Sequence, residues 1–150
     1  MTAIGFAEPL RAQGGGPPGG PGGGGFYTVS VSPGTISLAT PGTPEFNRGY
    51  TAHSGIDLVV DRDGPGRGGP GWVLEVRADE ATLGGPGKPV SDLLVRDPDG
   101  GWIPLSTSFQ TLARGRGPST VTTNLRMRLA YGRDVPDLYG TALTFRVSRR

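Results

Sequence analysis

One histidine, His53, and no cysteine stand in a chain of 150 residues. A Ser-His-Asp relay would have to run through His53. Its setting, Tyr50-Thr51-Ala52-His53-Ser54-Gly55, reads instead as a loop or strand edge. The missing thiols exclude thiol catalysis, cysteine zinc sites and disulfide staples. Two acidic pairs, Asp61/Asp63 in DRDG and Asp97/Asp99 in DPDG, offer the carboxylate oxygens that calcium prefers. An EF-hand loop needs a third ligand two residues on and a distal Glu. Gly64-Pro65-Gly66 and Gly100-Gly101-Trp102 supply neither, so the four Asp residues are calcium candidates on composition alone. Their simpler role is turn formation. Gly84-Gly85-Pro86-Gly87-Lys88-Pro89 ends in the Gly-Lys step of a phosphate loop. That loop requires Ser or Thr where Pro89 stands and Gly where Thr82 stands. Nothing singles out a carboxylate pair for glycoside hydrolysis. The expectation is a non-enzyme with no cofactor.

Aromatic and basic residues are the remaining candidates for binding. Trp72 shares a strand face with Leu74 and Val76 and belongs to a core. Trp102 has no such company and is the candidate for facing a ligand such as a surface glycan. Arg114-Gly115-Arg116-Gly117 and the stretch from Arg62 to Arg67 are small Arg/Gly patches. Single-strand binders interleave aromatics with such patches. Here the aromatic nearest the first patch is Phe109, and a net charge of +2 gives little electrostatic footprint. Both patches read as solvated turns, and no nucleic-acid partner is expected.

The elements that must position these residues are short strands. Residues 26–31 (FYTVSV), 35–39 (TISLA), 55–60 (GIDLVV), 72–78 (WVLEVRA), 90–96 (VSDLLVR), 124–131 (NLRMRLAY) and 141–148 (TALTFRVS) each alternate or run apolar between Gly, Pro and Asp turns. Trp102 to Leu105 resumes the chain after the turn Asp97-Pro98-Asp99-Gly100. No helical period and no internal repeat stands out. The expected fold is all-β, an antiparallel sandwich of about eight strands. No run of 18 apolar residues is present, so no membrane-spanning helix is expected. No signal peptide is visible either, so the expectation is a protein not exported by that route or a chain in its mature form. Fourteen Arg against one Lys suit a GC-rich or thermophilic source.

The front of the chain differs. Residues 1–13 place Ile4, Phe6 and Leu10 on one face of an extended arm, and Pro9 restricts that arm to an edge or added strand. Residues 14–25 contain only Gly and Pro and cannot build a core. Residues 26–150 form the folded unit. The three parts read as arm, tether and domain.

The stretches VSVSPGTISL, WVLEVRADEATL and RLAYGRDVPDLYGTALTFRVS resemble bacterial surface β-sandwich proteins, both WxL-like domains and fibre-forming biofilm-matrix subunits. Pro136, Leu138, Tyr139 and Gly140 before the final strand carry much of the likeness, which covers residues 26–148. Trp72-Val73-Leu74 is the sole W-x-L, so the second such motif of the WxL pattern has no counterpart. The resemblance implies an extracellular, non-catalytic role. In fibre-forming relatives it implies assembly by donation of an N-terminal strand, a role that falls here to Ile4, Phe6 and Leu10. The expected partner is a further copy of the chain, in a filament or surface layer. A virion decoration protein and a carbohydrate-binding module using Trp102 and nearby Asp residues are the alternatives.

Overall fold

Period-two alternation of apolar and polar side chains governs most of the structure. The computed structural model describes residues 11–14, 27–64, 69–84, 87–135 and 137–150. In chain order the elements are β1 (Arg11–Gly14), β2 (Tyr27–Ser32), α1 (Thr43–Arg48), β3 (Tyr50–Arg62), β4 (Gly71–Ala78), β5 (Leu93–Arg96), β6 (Trp102–Pro104), β7 (Gln110–Arg116), β8 (Ser119–Arg128) and β9 (Leu143–Arg149). A 3-10 turn, Val90–Asp92, leads into β5. The protein is predominantly β, as its sequence predicts.

The strands form two sheets, ordered β1-β9-β4-β7 and β2-β3-β8-β5-β6. One hydrophobic cluster draws on both. Trp72, Leu74, Val76, Phe145 and Val147 come from the first sheet, and Val29, Leu58, Val60, Leu125 and Met127 from the second. In β4 every second residue is buried, so Glu75 and Arg77 point away from the core. β8 does the same with Leu125 and Met127 inward and Arg126 and Arg128 outward. All strand pairs among the described residues are antiparallel except one: β1 runs parallel to β9, matching Arg11 to Thr144 and Gly14 to Val147.

Four local expectations need correction. Residues 35–39 form no strand, although Ile36 and Leu38 are buried as their alternation predicts. Alternation reports which side is buried, not whether a neighbouring backbone supplies a ladder. Residues 90–96 split into the 3-10 turn and a four-residue strand. The segment Thr43–Arg48 is helical. The Gly42 N–H donates to Glu45 Oε2 at 2.8 Å, and Gly49 closes the helix at φ 84° with its N–H on the Glu45 carbonyl. Finally, Arg114, Gly115 and Arg116 lie in β7 rather than in a solvated turn.

That last correction has a packing cause. Gly115 stands directly across from Trp72. A Cβ at Gly115 would run into the indole ring. The Trp72 Nε1–H donates to the Gly117 carbonyl at 2.8 Å. The Tyr27 hydroxyl donates to the Pro70 carbonyl at 2.7 Å and accepts from the Gly117 N–H at 3.3 Å. Glycine at 115 is therefore a seat for the largest core side chain. Gly115→Ala is expected to destabilise the fold by about 1–3 kcal/mol through overpacking, read as a lowered urea midpoint. An unchanged midpoint would show that the ring can move aside.

Candidate functional site

The side chains most suited to binding lie on the outer face of the second sheet. Because Leu125 and Met127 fill the core, Arg126 and Arg128 project from its other side. Cross-strand register brings them company. Tyr50 of β3 pairs with Arg128, Leu94 of β5 pairs with both Arg126 and Pro104, and Arg96 pairs with Trp102 of β6. The guanidinium of Arg126 lies 4.2 Å from the Trp102 ring centroid and 5.2 Å from that of Tyr50. Arg48 lies 4.8 Å from Tyr50, and Arg96 lies 5.9 Å from Trp102. The result is a row alternating cation and ring: Arg48, Tyr50, Arg126, Trp102, Arg96. Beside it Gly49, Tyr50, Arg126, Arg128, Ala130 and Arg133 line an open groove of about 480 Å³.

The charges in this row are largely unbalanced. Arg48 shares Glu45 at 3.8 Å. The Glu45 carboxyl is held below its usual value, first by the hydrogen bond from the Gly42 N–H. No carboxylate lies within ion-pair distance of Arg96, Arg126 or Arg128 among the described residues. The first sheet is different. There Arg146 contacts Glu75 at 2.6 Å and Arg77 contacts Asp79 at 3.8 Å, while both guanidinium groups also sit against Phe109.

Trp102 is thus half-buried with guanidinium neighbours, and its partners are arginines rather than aspartates. Asp97 and Asp99 line a separate hollow with Pro98, Ile103 and Thr111. Asp97 Oδ1 accepts from the Gly101 N–H at 2.9 Å, which is turn chemistry. Asp61 sits in β3 opposite Thr28, and Asp63 follows the end of that strand. Among the described residues no three His, Asp or Glu side chains converge as a metal site. His53 lies inside β3, beside the irregularity that Gly55 forms at φ 82°. Ile4, Phe6 and Leu10 lie outside the described residues. The end of the arm is described, and there Arg11–Gly14 lines the edge of β9.

No protein family matches the chain, and no curated protein matches it. The site therefore has to be read from its own chemistry. No helix among the described residues is long and apolar enough to cross a membrane.

Sequence reasoning missed the row because its members are far apart in the chain. The outward pair Arg126 and Arg128 was visible in the alternation of β8. Which rings they meet depends on β3, β5 and β6. A second missed constellation is a buried charge cluster. Lys88, the sole lysine, lies 2.7 Å from Asp134 Oδ1 and 3.0 Å from Asp92 Oδ2, with all three side chains less than a tenth exposed. Arg133 reaches Asp92 at 2.8 Å from the surface. Burial pushes the Asp134 carboxyl up. The hydrogen bonds from Lys88, the Ala130 N–H and Arg133 outweigh it and hold the group below its usual value. Burial, with Asp134 nearby, raises the Tyr139 hydroxyl, which donates to the Val135 carbonyl at 2.7 Å.

The cluster pins the loop after β8 to the segment before β5. Lys88→Met leaves two buried carboxylates short of a cation, and a loss of about 3–5 kcal/mol is expected by urea denaturation. A carboxyl with a lowered folded-state pKa contributes stability above its unfolded value, and that contribution fades as pH falls through the folded value. Denaturation at successive pH values should therefore show an acid-side loss that is shallower in Asp134→Asn. Equal slopes in the two proteins would contradict this role.

Proposed function

We propose that this chain is a non-catalytic β-sandwich subunit of an extracellular filament or surface layer, in which one copy's N-terminal strand completes a neighbour's sheet. The observation that carries the reading is the pairing of Arg11–Gly14 with Thr144–Val147. The outer edge of β9 accepts a strand from the arm. A strand edge offers a row of backbone donors and acceptors to any extended segment that reaches it.

The tether supports exchange. Residues 15–25 are all Gly or Pro, and this stretch spans ~34 Å when extended, at ~3.1 Å per residue. The same backbone hydrogen bonds form whether the strand comes from its own chain or from another. Protein concentration and tether length then set the balance between the two. In trans the contact is head-to-tail and heterologous, so it propagates into rings or filaments. Ile4, Phe6 and Leu10 supply the alternate apolar anchors that extend the added strand beyond Arg11.

A chain without cysteine gives a clean test. Gln13 and Arg146 are register partners, so Gln13→Cys with Arg146→Cys traps the docked strand. Oxidation of concentrated protein is expected to give a ladder of crosslinked oligomers on a non-reducing gel, and filaments by electron microscopy. Deleting residues 1–14, or introducing Phe6→Asp, should abolish assembly while leaving the melting temperature nearly unchanged. Crosslinks confined to single chains at every concentration would end the exchange reading and leave β1 as a private edge strand.

A further inference from the structure

We infer that the outer face of the second sheet, from Arg48 across Tyr50, Arg126 and Trp102 to Arg96, binds an acidic polysaccharide built of uronate or sulfated sugars. This inference stands apart from strand exchange, since the row lies on the sheet that β1 does not join.

Arg96, Arg126 and Arg128 have no carboxylate within ion-pair distance among the described residues, whereas Arg77 and Arg146 of the first sheet, which also lie against a ring, are paired with Asp79 and Glu75. Arg96 and Arg126 belong to the row and Arg128 stands beside it, and the row crosses three strand spacings, ~14 Å. Arginine is the side chain suited to carboxylate and sulfate oxygens, because its planar fork donates two parallel hydrogen bonds.

The second element is order. Arg126 lies against both Trp102 and Tyr50. Ring contacts fix the plane of a guanidinium and leave its charge intact. A pre-positioned fork loses less side-chain entropy on binding than a free one. The groove lined by Tyr50, Arg126, Arg128 and Arg133 adds a concave side.

The third element is the alternation itself. Cation and ring succeed one another along the row. A polysaccharide repeats in the same sense, with apolar C–H faces between regularly spaced anionic groups. Single-stranded nucleic acid fits less well, because its readers offer open aromatic faces to the bases. Here a guanidinium already lies 4.2 Å from the Trp102 centroid.

The test uses the full chain and titration calorimetry with four probes: polygalacturonate, dextran sulfate, neutral dextran and oligo-dT. At least one acidic polysaccharide is expected to bind, more weakly as salt is added, and neutral dextran is not. Arg96→Glu with Arg128→Glu, both exposed positions, should weaken that binding by about tenfold or more with little change in melting temperature. Arg126→Gln should weaken it too. If that variant melts early, because Arg126 lies opposite buried Leu94, the double variant decides. Failure of both acidic polysaccharides to bind would overturn the inference. So would neutral dextran binding equally well, oligo-dT binding more tightly than either, or a double variant that binds undiminished.

Discussion

The molecule depends on the seating of Trp72. Its indole lies across from Gly115 where no Cβ stands, and its N–H is satisfied by the Gly117 carbonyl. The Tyr27 hydroxyl, from the other sheet, binds the Gly117 N–H and the Pro70 carbonyl at the same corner. A large apolar ring with one polar atom is worth most when that atom finds a partner inside. Here the partner is Gly117, just past the end of the strand that makes room for the ring. Sheet-to-sheet packing, the path of β7 and the direction of the chain after Gly117 all follow from this arrangement.

Once the inner faces are committed to Trp72, Phe145, Leu58 and Met127, the outer faces are free to differ, and they do. On the first sheet Glu75 and Asp79 neutralise Arg146 and Arg77. On the second, arginines lie against Tyr50 and Trp102 with little opposing charge. The same residue type thus serves two ends. Arg77 and Arg146 meet both a carboxylate and the Phe109 ring, whereas Arg96 and Arg126 meet rings with no carboxylate within ion-pair distance among the described residues. The edge of β9 is a third surface, occupied by backbone from the arm. These three surfaces lie on different parts of the two sheets.

Much of the fold was legible because strands announce themselves locally. β4, β8 and β9 could be read from alternation, with Trp72 inward and Arg126 outward. β7 could not, because Gln110–Arg116 carries two Arg and a Gly, a pattern that mimics a turn until Trp72 is set beside it. The segment at Ile36 and Leu38 gave the converse error, buried alternation without a ladder. Trp102, named from the sequence as the ligand-facing candidate with Asp residues nearby, has Arg96 and Arg126 for neighbours.

By itself, the sequence determined the β class, the inward and outward sides of the clearest strands, the Gly/Pro composition of residues 14–25 and the absence of thiol chemistry. Those properties depend on residues adjacent in the chain, through period-two geometry and backbone freedom. Only the tertiary structure decided that Arg48, Arg96 and Arg126 share two rings, that Lys88 meets Asp92 and Asp134, and that Arg11–Gly14 lies along β9. Such meetings depend on strand order and register, and the order β2-β3-β8-β5-β6 sets side by side residues that lie far apart in the chain.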